Sequence, residues 1–175
     1  MANGTLKVSN IQTSSGSGTI TIGQSGETIT IPSGATQTGV GGTNTPNFKA
    51  SNSGNTSCAN NTFVKLSADT VTFDSDSGFA SDKFTVPSGK GGKYIFTARV
   101  YFPNTVSTDY AQVSLYKNGG VVANTSHVHE DYQVHLHSNI ENVSASDYFE
   151  IYFRHTAGST QNAQLVEFSG FRLIE

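Results

Sequence analysis

Four of the five histidines lie within eleven residues and form the densest group of potential metal ligands in the sequence. They are His127, His129, His135 and His137. Alternation with Val128, Val134 and Leu136 predicts that all four imidazoles point outward from one β-hairpin. Neutral imidazole binds zinc, nickel, copper or iron, so the group is a candidate transition-metal site. Two alternatives remain: ordinary polar positions on a solvated strand, since no acidic ligand spacing accompanies the histidines, or a pH-responsive contact.

A second candidate for ion binding is the short acidic loop Asp74-Ser-Asp76-Ser-Gly78. It has the start of a calcium-binding loop, but the remaining oxygen ligands and the bidentate Glu at position twelve are absent. We expect a solvated loop here, with weak calcium binding as the alternative.

No sequence motif points to catalysis. The chain has no nucleophile elbow, no His-Glu-x-x-His and no phosphate-binding glycine loop. Two carboxylates that hydrolyse glycosides could still meet in space, although the absence of Trp argues against a sugar cleft. We expect a protein that is not an enzyme and has no obligatory cofactor.

Composition excludes several kinds of partner. Ten basic residues against 13 acidic ones give a net charge of −3 without a basic cluster, so nucleic acid is not expected. No apolar run approaches the ~20 residues of a membrane span, and the N-terminus lacks a signal segment.

Cys58 is the single cysteine, which leaves no intrachain disulfide. The domain must therefore be stabilised by packing.

Period-2 alternation predicts β-strands in three runs most clearly. Their inward positions are Tyr94, Phe96, Ala98, Val100 and Phe102, then Ala111, Val113 and Leu115, then Phe149, Ile151 and Phe153. Charged residues make up only 13% of the chain, while Ser, Thr, Asn and Gly are abundant, and this favours strands and turns over helices. The expected fold class is all-β, a sandwich with these residues in its core.

The opposite face of the same strands carries large residues where a solvated strand would carry Lys, Glu or Thr. They are Ile95, Tyr101, Tyr110, Tyr116, Tyr148 and Tyr152. Tyrosines at outward positions of several strands indicate a protein interface. The alternative is a set of cross-strand tyrosine pairs on a solvated sheet.

Residues 1–45 differ from the rest, with no aromatic residue and many Gly, Ser and Thr. Gly18-Thr-Ile-Thr-Ile-Gly23 recurs nine residues later as Glu27-Thr-Ile-Thr-Ile-Pro32, across a turn-forming Gly-Gln-Ser-Gly segment. We expect two paired strands here. An isolated hairpin is marginal in water, so these strands should order only against sister chains or a larger assembly. The isoleucines concerned are Ile20, Ile22, Ile29 and Ile31.

Seven segments spread over residues 46–175 share the order of aromatic and glycine positions of a known family. They are Pro46-Asn-Phe48, Phe73-Asp74, Phe84-Thr-Val-Pro87, Gly91-Gly-Lys-Tyr-Ile-Phe96, Val113-Ser-Leu-Tyr-Lys-Asn-Gly119, Ser146-Asp-Tyr-Phe149 and Phe168-Ser-Gly-Phe-Arg-Leu173. Together they resemble the globular head of complement C1q and, with it, the tumour necrosis factor jelly roll. The resemblance implies a ten-stranded jelly-roll sandwich that forms a homotrimer. It implies a trimer interface built from Tyr101, Tyr110, Tyr116, Tyr148, Tyr152 and Phe171.

Two departures qualify this resemblance. The chain has no collagen-like Gly-X-Y repeat, and it has Ser146-Asp147 where many members have Gly-Asp. The leader from Val8 to Gly34 instead resembles the Gly/Ser/Thr-rich leaders of tail-fibre and appendage proteins of marine and cyanobacterial phages. That likeness implies that residues 1–45 attach the domain to a particle or interlock the trimer.

The expected function is that of an external virion structural protein of a bacteriophage: a trimeric decoration, cement or fibre-type appendage that is assembled in the host cytoplasm. Its partners would be sister copies and other capsid or tail proteins. One alternative is a receptor-binding fibre tip that recognises a host-surface glycan through the loops at residues 104–109 and 157–162. Another is a bacterial spore-surface or secreted protein of the same fold.

Overall fold

The computed structural model describes residues 7, 9–13, 18–35, 44–103, 110–128 and 133–173, with the backbone alone at 126–128 and 133–137. The chain divides into two compact units, Met1–Val40 and Gly41–Glu175. Within the described ranges, no helix is long and apolar enough to cross a membrane.

The second unit consists of β-strands. The described strands are β1 (Asn47–Asn52), β2 (Thr56–Cys58), β3 (Val64–Lys65), β4 (Thr70–Asp74), β5 (Phe79–Ala80), β6 (Lys83–Thr85), β7 (Gly92–Phe102), β8 (Tyr110–Lys117), β9 (Gly120–Val128), β10 (Gln133–Val143), β11 (Tyr148–His155) and β12 (Gln161–Arg172). There are twelve segments rather than the expected ten, because turns break the chain between β2 and β6 into short pieces.

The strands form two antiparallel sheets. Sheet one has the order β10-β7-β12-β1-β4, with β2 also paired to β12; sheet two has the order β5-β6-β11-β8-β9, with β3 also paired to β11. Sequence neighbours thus often lie in different sheets, as in a jelly roll. The all-β jelly-roll sandwich predicted from the sequence is confirmed.

The core lies between the two sheets and is largely aromatic. The three alternating runs place their predicted inward side chains there, all of them at most 2% exposed. Phe48 stacks on Phe84 at 4.4 Å between ring centroids, and Phe96 stacks on Phe149 at 4.1 Å. These contacts join strands of the two sheets, so packing holds the sandwich together while Cys58 remains a buried free thiol.

Two tight hairpins contain the turn residues that their geometry requires. Asn118 and Gly119 join β8 to β9 with φ of 52° and 82°, and Ser81 and Asp82 join β5 to β6 with φ of 53° and 57°. Positive φ at both central residues is the type I′ turn, whose twist matches that of paired strands. The turn at Asn118 and Gly119, within a segment that resembles C1q, therefore sets the register of β8 and β9.

In the first unit, the expected hairpin is not formed by the described residues. Residues 18–35 contain no strand, although a turn places the Glu27 amide 3.0 Å from the Gln24 carbonyl oxygen. All four isoleucines are 41–63% exposed. A two-stranded ribbon without a third layer buries too little apolar surface to hold its ladder. Ordering of these runs against another surface stays a prediction, as does the role of the extension in attachment.

Candidate interaction surfaces

One candidate surface is the outer face of sheet one, which we call face 1. Ile95 on β7 lies opposite Ile140 on β10 and Phe171 on β12. Ile140 is 59% exposed and Phe171 40% exposed. Directly opposed side chains on neighbouring strands are about 5 Å apart, so the three make one continuous apolar strip. Tyr101 lies on the same face, further along β7.

Beside this strip, face 1 carries a cross-strand group of three charges. The Glu167 carboxylate pairs with Lys49 Nζ at 3.2 Å and with Arg99 Nε at 3.0 Å, which links β1, β12 and β7. The three side chains are partly exposed, so these pairs add little stability. Together Lys49, Arg99 and Glu167 have a net charge of +1 next to the apolar strip.

Face 1 is also shaped by a bulge in β12. The register between β12 and β7 shifts between Gln164 and Glu167. Leu165 lies in this bulge with a φ of 46°. That conformation is uncommon for a bulky residue, and Leu165 is exposed there beside a shallow cleft of about 180 Å³. The bulge thus turns an aliphatic side chain outward onto the face.

A second candidate surface is the outer face of sheet two, which we call face 2. The rings of Tyr116 on β8 and Tyr152 on β11 stack at 4.0 Å. The Lys83 ammonium lies 4.9 Å from the centre of the Tyr148 ring, and the Tyr110 hydroxyl donates a 2.5 Å hydrogen bond to Gln112. Face 2 is therefore largely packed against itself, because its rings contact one another or a cation.

Buried polar groups lie beneath the tyrosines of face 2. Gln112, Ser114 and Glu150 are buried there, and the Glu150 carboxylate accepts a 2.8 Å bond from Lys65 Nζ. Burial raises the pKa of Tyr116, and burial followed by the negative Glu150 raises the pKa of Tyr152. Both phenols are thus neutral at physiological pH, and the Tyr152 hydroxyl donates to Glu150 at 3.4 Å.

The structure separates the residues predicted at the trimer interface into two groups. Tyr101 and Phe171 lie on face 1. The other four, Tyr110, Tyr116, Tyr148 and Tyr152, lie on strands of sheet two and form face 2. The outer faces of a sandwich point in opposite directions, so one flat contact cannot contain both groups. Their assignment to a trimer contact stays a prediction.

The predicted histidine site falls partly outside the described residues. This applies to His129 as a whole and to the side chains of His127, His135 and His137. The expectation of a single hairpin is wrong: β9 pairs with β8 in sheet two, whereas β10 pairs with β7 in sheet one. Alternation shows which way side chains point along a strand but not which sheet it joins. Metal binding by these residues stays a prediction.

The remaining histidine, His155, has a structural position that the sequence did not reveal. It is completely buried at the end of β11, 5.1 Å from the Phe102 ring. The Ala157 amide donates to Nδ1 at 3.2 Å, so the proton is on Nε2, which lies 2.9 Å from the Cys58 carbonyl oxygen. His155 thereby ties β2 to the loop after β11.

The acidic loop uses its carboxylates within the protein. Asp74 accepts hydrogen bonds from the Gly78 and Phe79 amides at 3.1 and 2.7 Å. Asp76 pairs with Lys90 at 3.1 Å. A hydrogen bond from Ser75 and the Lys90 charge lower the pKa of Asp76 against a partly opposing effect of burial. Among the described residues, no group of three or more His, Cys, Asp or Glu is arranged to hold a metal ion.

Solved structures similar in fold include three proteins. The globular domain of zebrafish complement 1qA has a TM-score of 0.57 at 13% identity, covering 74% of this chain and 98% of that one. The PRD1 vertex protein P5 has a TM-score of 0.62 at 16% identity, with coverage of 75% and 99%. Murine APRIL has a TM-score of 0.55 at 12% identity, with coverage of 73% and 98%.

This chain has the C1q and tumour necrosis factor jelly-roll fold. No protein-family model and no curated protein sequence matches it. In this fold the apolar strip lies on the outer face of sheet one, and the packed tyrosines lie on the outer face of sheet two. His155 holds the loop that follows β11. Loop residues 104–109, expected at a glycan site, lie outside the described residues.

Face 1 contains residues that sequence reasoning missed. Ile140 is the most exposed of its apolar residues, but β10 has no strict alternation that would mark it as outward. The register of β10 on β7 reveals it, because Ile140 lies opposite the outward Ile95. Ion pairing of Glu167 with Lys49 and Arg99 had no sequence signal, since the three residues are far apart along the chain.

Proposed function

We propose that this chain is a non-catalytic, homotrimeric structural protein on the exterior of a bacteriophage particle, as a decoration, cement or appendage. The observation that carries the proposal is the similarity in fold to the PRD1 vertex protein P5, which extends over three quarters of this chain. Domains of this fold are generally non-catalytic and typically form trimers. Fold alone does not give function, so assembly and location each need a test.

Face 1 supports self-association as the first part of the proposal. Its strip of Ile95, Ile140 and Phe171 is contiguous, with Ile140 and Phe171 exposed and Ile95 half-buried between them, and such a strip marks an interaction surface. Face 2 needs a partner less, because Tyr116, Tyr148 and Tyr152 already contact one another or Lys83. We therefore assign face 1, with Tyr101 and Phe171, to the trimer contact.

The extension supports the second part of the proposal, attachment to a particle assembled in the host cytoplasm. Its four exposed isoleucines lie on short Thr/Ile runs that lack a β-ladder in the single chain. Such runs can add to the sheet of another protein. Ile20, Ile22, Ile29 and Ile31 would then anchor the jelly roll to a capsid or tail protein.

Light scattering on the purified full-length chain, and on a truncated chain that begins at Pro46, tests the trimer. Three times the mass of one chain for both proteins is the expected result. A stable monomer of the truncated chain would mean that face 1 does not hold the trimer. Location is tested by mass spectrometry of gradient-purified particles of the source phage, where peptides of this chain should be present in fixed ratio to the major capsid protein.

A further inference from the structure

Strand β4 leaves one edge of sheet one open. It pairs with β1 on one side, and none of the described strands pairs with its other side. Thr70, Val71, Thr72 and Phe73 are all exposed, with Val71 at 45% and Phe73 at 49%. Proteins usually protect such edges with Lys, Pro or a covering segment. No Lys or Pro lies within β4, so its backbone can accept another strand.

A cleft of about 200 Å³ lies next to this edge, on the open side of the sandwich. It is lined by side chains from β4 and from β5, the edge strand of sheet two. Its apolar lining consists of Ala68, Val71, Phe79 and Ala80, and Phe79 belongs to the hydrophobic core. An aliphatic side chain placed there would extend the core outward.

The walls of the cleft are held in place by hydrogen bonds. Asp82 accepts bonds from the Ala68 amide at 2.7 Å and from the Ser67 hydroxyl at 3.2 Å, which fixes the segment before β4. Asp74 accepts bonds from the amides of Gly78 and Phe79, which fixes the start of β5. A cleft shaped in advance loses little conformational entropy when it is filled.

The Thr/Ile runs of the extension have the chemistry that this edge and cleft require. Each run alternates Thr with an exposed Ile and takes part in no β-ladder. An added strand gains backbone hydrogen bonds along the edge, and its alternate side chains fill the pockets beside it. Isoleucine and threonine are also among the residues that best fit a pleated strand.

Charge distinguishes the two runs. The cleft is lined by Asp69 and Asp82 and by no basic residue. The second run begins at Glu27, whose carboxylate accepts a 2.7 Å bond from the Gln24 amide. The run Thr19 to Ile22 contains no charged residue and is flanked by Gly on both sides. The Glu27 carboxylate lies beyond its end, beside Gly23. The first run is therefore the better match for an acidic cleft.

We propose that the Thr19 to Ile22 run of one copy adds as a strand to β4 of a second copy, with an isoleucine side chain in the cleft beside Val71. The inference rests on the self-association proposed above and names the segment that interlocks the copies. It assigns the first run, with Ile20 and Ile22, to the contact between copies and leaves Ile29 and Ile31 of the second run for attachment to the particle. Each copy donates one strand and accepts one, a heterologous contact that can close around a threefold axis.

Disulfide trapping tests the pairing between copies. Chains with Ile20→Cys and chains with Val71→Cys, distinguishable by a mass tag, are co-expressed, purified as full-length protein and mildly oxidised. We expect a disulfide between the two kinds of chain. Val122→Cys, at a similarly exposed position on β9, is the acceptor control and should give little product. Ile29→Cys is the donor control for the choice of run.

The possible outcomes distinguish failure of the proposed strand exchange from failure of the proposed trimer. A trimer by light scattering in which Val122 traps as much as Val71, or in which Ile29 traps as much as Ile20, overturns the inference and leaves the trimer standing. A disulfide that forms only when Ile20→Cys and Val71→Cys are in the same chain overturns exchange between copies. A monomer without the disulfide overturns both.

Hydrogen exchange gives a readout that needs no cysteine. In the wild-type protein two sets of β4 amides should be protected from exchange: those that bond to β1, and those that bond to the added strand on the other side. The double change Ile20→Thr with Ile22→Thr lies outside the jelly-roll core. It should lose protection only at the amides of Thr70–Asp74 that point away from β1, while exchange in β8 stays unchanged. Unaltered protection of β4 in this variant would show that another segment, or none, covers the edge.

Discussion

Gly170 on β12 lies directly opposite Phe96 on β7, and the two approach so closely that a side chain at position 170 would collide with the Phe96 ring. A Cβ atom at Gly170 would stand 2.7 Å from Phe96 Cδ1, 2.9 Å from Phe48 Cε1 and 3.0 Å from the Ile95 carbonyl oxygen. Both rings are buried in the core.

Gly170→Ala should therefore destabilise the jelly roll. The added methyl group must displace two core rings, and overpacking of this kind costs about 1–3 kcal/mol. Urea unfolding followed by tyrosine fluorescence measures the change. Gly120→Ala is the matched control, since the nearest atom to its Cβ would be the Lys117 carbonyl oxygen at 3.7 Å. Equal midpoints for the two variants would contradict the packing argument.

Asp147 should make stability depend on acid pH. The hydrogen bond from the Lys117 ammonium, together with the Ser144 and Asn118 donors and against partial burial, lowers its pKa to about 2. A pKa below the ordinary value of 3.8 means that the stabilisation is present above about pH 4. It is lost as the pH falls from about 4 towards 2.

Asp147→Asn should accordingly lower the free energy of unfolding at pH 7 by about 1–2 kcal/mol, because a charge-assisted network is lost. The difference from wild type should shrink as the pH approaches 2. Denaturant unfolding at several pH values measures both. A constant difference between pH 7 and pH 2 would contradict the role of the Asp147 charge.

His155→Phe should cost about 1–3 kcal/mol, although it keeps an aromatic ring in the same place. The change leaves the Cys58 carbonyl and the Ala157 amide without their buried partner, and a buried unsatisfied group carries about this penalty. Thermal unfolding gives the total effect, and hydrogen exchange at Ala157 reports the lost bond. A variant as stable as wild type with unchanged exchange would show that His155 contributes packing alone.

Ile140→Lys should dissociate the trimer, since it places an uncompensated charge in the proposed contact at face 1. Such a charge costs about 3 kcal/mol or more, which weakens association by about 100-fold or more. Sedimentation velocity across a concentration series measures it. Val121→Lys is the control, because Val121 is 45% exposed and lies opposite Tyr116 on face 2. Dissociation by Val121→Lys alone would move the contact to the tyrosines.

The sequence by itself determined the fold class and the composition of the core. Alternation in β7, β8 and β11 identified the inward residues, because a strand exposes and buries successive side chains in turn. Lys117-Asn118-Gly119, quoted for the resemblance to C1q, has the residue types of a tight turn, because only a few residues accept positive φ at both central positions. The resemblance to C1q rested on such local patterns. The similarity in fold confirmed it, although no protein-family model matches the sequence.

Only the tertiary structure decided which surfaces exist. Alternation shows that Tyr101 and Tyr152 both point outward, but sheet membership places them on opposite faces of the sandwich. In the same way, β9 and β10 looked like one hairpin until the crossover assigned them to different sheets, and β4 is an edge only because of the strand order. These relations depend on contacts between residues far apart in sequence, which no local period encodes.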